Sequence, residues 1–263
     1  MLIAHATADL EPTDIGFIHG TALAAAVSGQ HRSLLTLHVR GGRQGGKPPE
    51  TEPWLLRWGF RAGHVTQRSF TSERYDDPAE GLIAACRLTQ PDLLILPTHA
   101  RSGVARLFGG SVAEAVARNL SIPCLLLPLD GWPLIDDQTG QVTLERTLVL
   151  GGSQPDAQLG VDAATWFARA VGCAAQVTLL HVFDHTPFPH TTQSAELTTQ
   201  HRAGELTDVV TTVCAELQPQ LIVMVSHGHD QLRDVLFANR TERVLRAARR
   251  PLLWVPHTVQ LRA

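Results

Sequence analysis

Residues 91–103 read PDLLILPTHARSG, and residues 219–231 read PQLIVMVSHGHDQ. Each stretch starts at a proline, passes through an uninterrupted apolar run and ends on a small hydroxyl residue followed by histidine. A short apolar run bounded by turn residues fits a parallel strand buried on both faces. The likeness extends outward on both sides. IPCLLLP (122–128) matches RPLLWVP (250–256), and His99 to His227, Cys86 to Cys214 and Pro123 to Pro251 are each 128 residues apart. Between the matched strands lie two helix-like stretches, GGSVAEAVARNLS (109–121) and ANRTERVLRAARR (238–250). Upstream, LLTLHVR (34–40) pairs with VTLLHVFD (177–184), but His38 and His181 are 143 apart. The chain is therefore a tandem duplication whose second copy lacks about 15 residues between this strand and the next.

Each copy alternates strands with helices, which predicts a doubly wound α/β domain. In the first, LIAHA (2–6) starts a strand, Gly16–Gln30 a helix, Ser33–Val39 a second strand and Val65–Glu73 a third. Asp77-Pro78 opens a helix, with Asp as N-cap and Pro at the first helical position. Pro91 stops that helix ahead of the strand Asp92–Leu96. In the second copy, helices are expected near Asp162–Val171 and Glu205–Leu217, and the candidate third strand is Thr191–Gln193. The expected units are 1–129, a linker at 130–145 and a shortened second domain at 146–263. The linker reads equally as a β-hairpin turning near Gly140 or as an extended surface segment.

The bulk composition narrows the function classes. Apolar residues make up 44% and charged residues 18% of 263, a globular composition. The net charge is −3, with no excess of basic residues to favour nucleic acid. Cys86, Cys124, Cys173 and Cys214 form no CxxC pair and read as reduced, buried hydrophobes. The start MLIAHATADLEP has neither a basic n-region nor a cleavage site, and the longest apolar runs are too short to cross a bilayer. A soluble, cytoplasmic protein is expected.

The "LHV" that ends the second strand (Leu37–Val39; Leu180–Val182), the Thr/Ser-His pair after the fourth strand and the closing Pro-x-Leu-Leu strand resemble the universal stress protein family, in two copies that span almost the whole chain. The resemblance implies two Rossmann-like domains packed as an intramolecular pseudo-dimer through the last strand of each half, with further homodimerisation as an extension. It also implies a Gly-x2-Gly-x9-Gly-Ser/Thr loop that cradles ATP phosphates and ribose in the nucleotide-binding branch. Glycines allow close backbone approach, and a helix N-terminus attracts the anion. In the first half the loop positions are Pro97, Ala100, Gly110 and Ser111, of which the last two match. In the second they are Val225, Gly228, Ala238 and Asn239, of which only Gly228 matches, although Asn239 can still cap a helix. The family's aspartate at the end of the first strand is missing; Ala6-Thr7 and Gly151-Gly152 stand in its neighbourhood. The implied nucleotide contacts are Thr7, Val39, His99, Arg101, Gly110, Ser111 and Val112 in the first half, with Arg106 also near the phosphates, and Gly228 and Asn239 in the second. The cofactor would be ATP or another adenine nucleotide.

Other motifs compete. GGRQGGK (41–47) matches the glycine and lysine spacing of a P-loop, but Pro48 stands where Ser or Thr must hold Mg²⁺, so a surface loop is expected. His181, His185 and His190, with His227 and His229, are candidate Zn²⁺ ligands at strand ends. The alternative is that His38, His99, His181 and His227 are hydrogen-bonded scaffold residues. Thr98-His99 and Ser226-His227 do not make a nucleophile–base pair, because neighbours on a strand face opposite ways. The function expected is a non-catalytic stress-response regulator that binds an adenine nucleotide, preferably in the first half, or a partner protein. One alternative is an ATP-hydrolysing enzyme using a carboxylate such as Asp9, Asp14 or Asp230. The other is a histidine-cluster metal-binding regulator.

Overall fold

The computed structural model of the chain describes residues 1–7, 14–28, 32–39, 49–72, 77–98, 116, 119–152, 156–183, 188–189, 191–192, 197–226 and 234–261, with the backbone alone at 39, 72, 183 and 234–239. The first half contains β1 (Leu2–Thr7), α1 (Ile15–Ala26), β2 (Ser33–Val39), α2 (Glu52–Arg57), β3 (Thr66–Ser72), α3 (Pro78–Thr89), β4 (Leu93–Thr98) and β5 (Cys124–Pro128). The second contains β6 (Arg146–Leu150), α4 (Ala157–Ala170), β7 (Gln176–Phe183), β8 (Leu197–Ala203), α5 (Leu206–Leu217), β9 (Leu221–Ser226), α6 (Asp234–Ala248) and β10 (Leu252–Pro256).

All ten strands form one sheet in the order β3-β2-β1-β4-β5-β10-β9-β6-β7-β8. Each half is a parallel, doubly wound α/β unit, so the tandem α/β reading of the sequence holds. The one antiparallel pairing joins them: Leu126↔Leu252, Leu125↔Leu253 and Cys124↔Trp254. That register places a local two-fold relation on the Leu125/Leu253 pair. It also pairs two strands that would otherwise be open edges.

Local chemistry sets the element ends. Asp14, Asp77, Asp156 and Glu205 cap α1, α3, α4 and α5 by accepting backbone N–H groups of the first turn. The helices α3 and α5 end alike: Gln90 and Gln218 take left-handed φ values of 46° and 50°, their N–H groups donate to Cys86 O and Cys214 O, and a proline follows. One core cluster lies under α1 and α4 on one sheet face, with Ile3, Phe17, Leu93, Phe167 and Val223. The other lies under α3, α5 and α6, with Leu94, Cys86, Val213, Ile222 and Val244. Both span the two halves. All four cysteines are free, and burial pushes the Cys86 thiol up to about 12. No helix among the described residues is long and apolar enough to cross a membrane.

Three features depart from the sequence reading. The third strand of the second half is β8, not Thr191–Gln193. LTTQHRA is exposed on both faces along most of its length, so it carries no apolar alternation to reveal it. The helix α4 starts five residues before Asp162, because Asp156 is its cap. The segment between β2 and β3 holds a short helix, α2; the segment between β7 and β8 is shorter and shows no helix among its described residues, so the residues missing from the second copy fall here.

The short helix α2 and the segment after β5 meet. Ile135 and Val142 form an antiparallel bridge, and Gly140 turns the chain at φ +69°. Trp58 lies against Gly140, where an added Cβ would fall 2.4 Å from the indole, and its Nε1 donates to Asp137 O at 3.0 Å. Behind this contact, buried His19 of α1 bonds Ile15 O through Nδ1 at 2.8 Å and faces Leu134 N through Nε2 at 3.4 Å. Burial lowers its pKa to about 4, so the ring is neutral at pH 7 and accepts the Leu134 N–H.

Candidate functional site

The crevice lies where the strand order reverses, between β1 and β4. The β1·β4 ladder ends at His5↔Ile95, two residues before β1 stops. The flanking ladders run further, to Thr7↔His38 and Thr98↔Pro128. Pro97 has no N–H to donate at that level. The carboxyl ends of β1 and β4 therefore part, which is the usual ligand position in open α/β sheets.

Asp14 supports the base of this split. Its Oδ1 accepts from Gly16 N at 2.7 Å and Phe17 N at 3.1 Å, and lies 3.1 Å from His5 Nε2. Its Oδ2 accepts from Thr7 Oγ1 at 2.7 Å. Burial pushes the carboxyl pKa up, but His5, Thr7 and the Phe17 N–H outweigh it and leave it below the usual carboxylate value. His5 is fully buried, and its Nδ1 meets no hydrogen-bond partner among the described residues. Gly16 closes the floor: a Cβ there would sit 2.5 Å from Pro97 Cγ and 2.7 Å from His5 Cδ2. A carboxylate thus does reach the end of β1, delivered by the start of α1 and not by the strand. The legible signal was Asp14-Ile15-Gly16 ahead of an apolar helix, a capping pattern. Because this carboxylate already accepts four contacts, it is poorly placed to bind a metal, which weakens Asp14 as a candidate for phosphoryl chemistry.

The second crevice is chemically different. The β6·β9 ladder ends at Leu150↔Met224, and Gly151 N donates to Leu180 O beside His181. Gly151 therefore stands in the place of Thr7, and Val149 in that of His5. Gly160 wedges against Val149 and Val225 as Gly16 does against His5 and Pro97. The position of Asp14 falls to Gln158, whose amide bonds Asp162 and the Thr192 N–H. The polar trio is confined to the first half.

Of the first-half nucleotide candidates, Thr7 stands at the crevice and the Val39 backbone ends β2 next to β1. His99, Arg101, Gly110, Ser111 and Val112 lie outside the described residues, as does Arg106. So do Gly228, Asp9, Asp230, the whole GGRQGGK stretch (41–47) and the histidines His185, His190, His227 and His229. Asn239 falls inside α6, with only its backbone described, and not at that helix's start. Thr98 Oγ1 donates to Leu127 O at 3.2 Å, a sheet contact. His38 is buried with neither ring nitrogen bonded among the described residues, which departs from the hydrogen-bonded scaffold role expected for it.

His181 stacks on His201, with centroids 4.9 Å apart, and Phe188 stands edge-on to both rings. Burial first, then the neighbouring His201, lowers the His181 pKa. The sequence reading missed His201, because it lies on the polar edge strand β8. Among the described residues no three His, Cys, Asp or Glu side chains converge as a metal site.

The model of the universal stress protein family matches residues 59–128 and again 192–256, together just over half of the chain. Among solved structures, a universal stress protein from Archaeoglobus fulgidus DSM 4304 is 14% identical at a TM-score of 0.65, over 97% of this chain and 96% of that one. A functionally unknown protein from Pseudomonas aeruginosa PAO1 is 13% identical at 0.60, over 97% and 92%. At these identities the likeness is one of fold. A universal stress protein in complex with cAMP overlaps 44% of this chain and 98% of its own at 16% identity and a TM-score of 0.34, too loose to carry an argument. Comparison with curated proteins gives no match.

Proposed function

The chain belongs to the universal stress protein family, and we propose that it is a non-catalytic regulator that takes an adenine nucleotide in its first-half crevice. The observation that carries this reading is the asymmetry of the two crevices. At the switch point the first half has a polar base, Thr7–Asp14–His5, where the second, among the described residues, has Gly151, Gln158 and Val149 at the matching positions. Within this base the Asp14 carboxylate is engaged by four contacts, so it orients Thr7 and does not compete for phosphate. By the family resemblance, phosphates would meet the backbone N–H groups of Gly110 and Ser111, and ATP is the expected ligand. The second half serves packing and contact with a partner protein, and the β5·β10 pairing stands in for the contact two separate chains would make.

The test is a thermal shift with ATP at millimolar concentration. A ligand at about 100 times its Kd adds about 2.7 kcal/mol of stability, a readily measured rise in Tm. The shift should disappear in the Gly110→Val/Ser111→Ala double variant. No shift in the unaltered chain contradicts nucleotide binding, and an undiminished shift in the variant contradicts the site. ATP turnover well above background would instead establish the enzyme alternative.

A further inference from the structure

The side of β1 and β2 that faces α1 carries polar residues where a core strand usually carries apolar ones. His5 and Thr36 are paired across the two strands, and Thr7 and His38 are paired one level nearer the carboxyl ends. Alternate residues of a strand share a face, so all four stand on the face that packs against Phe17 of α1. His5 and Thr36 are fully buried, and His38 is 4% exposed. His5 Nδ1, Thr36 Oγ1 and both ring nitrogens of His38 meet no hydrogen-bond partner among the described residues. Buried polar atoms are normally paired, and four orphans on three neighbouring side chains call for an occupant.

The orientation of His5 is fixed. Its Nε2 lies 3.1 Å from Asp14 Oδ1. A carboxylate only accepts, so Nε2 carries the proton and Nδ1 presents a lone pair. A Cβ on Gly16 would meet Pro97 Cγ, His5 Cδ2 and His5 Nε2, so that edge of the ring is turned to α1 and β4. Since β1 lies between β4 and β2, the Nδ1 edge is turned to β2, where Thr36 and His38 stand. The second half shows that the fold needs no polar group at these positions. Its register puts Val149 in the place of His5 and Leu179 in that of Thr36, and both are fully buried. His181, in the place of His38, stacks on His201, whereas the β3 residue paired with His38 is Thr71.

We propose that His5 Nδ1, Thr36 Oγ1 and a ring nitrogen of His38 hold one divalent transition-metal ion of the zinc type. The orphan atoms are sealed from solvent, so the occupant is no larger than a single ion or a single water. Imidazole nitrogens suit zinc and its neighbours, whereas Mg²⁺ and Ca²⁺ take oxygen ligands. By strand spacing and rise, His5 and His38 stand about 8 Å apart at Cα. Two imidazoles bridge that span through one ion about 2 Å from each nitrogen. Asp14 is the outer partner: a carboxylate on the far nitrogen orients a metal-bound imidazole and raises its basicity. The set has two imidazoles and a hydroxyl, and so differs from a cluster of three His, Cys or acidic ligands. It shares no residue with the phosphate contacts assigned to Gly110 and Ser111, and it goes beyond the nucleotide reading.

The test is titration of the untagged, metal-free full chain with Zn²⁺ by calorimetry and with Co²⁺ by visible absorption. ATP is left out, so neither result bears on nucleotide binding. One ion should bind per chain at micromolar concentration, and Co²⁺ should show the d–d absorption of a nitrogen-ligated ion. His5→Val with Thr36→Leu copies the second half and should abolish binding while the chain stays folded, which urea unfolding checks. His38→Gln decides the matter if that double variant does not fold. It should weaken binding by at least about tenfold, since loss of an outer partner alone costs about 10–100-fold. No uptake at micromolar concentration, the result if a water holds these atoms, overturns the assignment. Unchanged uptake in a folded His5/Thr36 variant or in the His38 variant overturns it too.

Discussion

Asp14 serves as helix cap, partner of a buried histidine and anchor of the strand-end threonine, and the crevice floor depends on Gly16 two residues on. The Gly16→Ala variant should therefore lose about 1–3 kcal/mol, because the new methyl overlaps Pro97 and His5 and neither has a free direction to move. Urea unfolding checks this, and an unchanged midpoint would mean that α1 stands further from the sheet. His19 sets a different dependence. Its pKa falls from the ordinary histidine value of 6.5 to about 4 on folding, with burial as the cause. The folded state therefore disfavours the proton. Its contribution is intact above pH 6.5 and is lost as pH falls towards 4, by on the order of 3 kcal/mol in all. Stability measured between pH 7 and 4 should drop accordingly, and His19→Gln should flatten that slope. Neither residue's role was legible in the sequence. Partners of a buried polar side chain come from distant segments, Leu134 for His19 and Pro97 beside Gly16, which spacing along the chain does not reveal.

At the level of elements, the part that distinguishes the halves is α2 with the hairpin-like segment that docks on it. Trp58 is the contact: it lies tilted against Trp54 with centroids 5.5 Å apart, covers Gly140 and bonds Asp137 O. Trp58→Ala should cost about 2 kcal/mol, less than the about 3–5 of a fully buried ring. It should also open 136–141 to protease cleavage, mapped by mass spectrometry; equal protection in the variant would show that the bridge Ile135↔Val142 holds the segment alone. The sequence revealed the strands that are buried on both faces, β4, β5, β9 and β10, because continuous apolar runs mark them. It missed β8 and α2 for a common reason. In both the edge strand β8 and the six-residue helix α2 most side chains face water and leave no apolar period to read.

Across the whole molecule, one duplicated unit has become two unlike halves around a shared sheet. The two-fold relation at Leu125 and Leu253 is kept in the backbone, while the side chains at both ends have diverged. At the carboxyl edge the first half has Thr7, His5 and Asp14 where the second has Gly151, Val149 and Gln158. At the amino edge the second half sets Arg250 over Trp132, and the 128-residue offset puts Ile122 and Gln260 at those positions in the first. The duplication was visible from sequence because matched strands keep their spacing, whereas the chemical difference between the halves depends on which side chains face one another. The most direct measurement of the central claim is the stoichiometry of ATP binding by isothermal titration of the full chain. One nucleotide should bind per chain, and binding should be lost in Gly110→Val/Ser111→Ala. Two equivalent nucleotides per chain, or none, would contradict it.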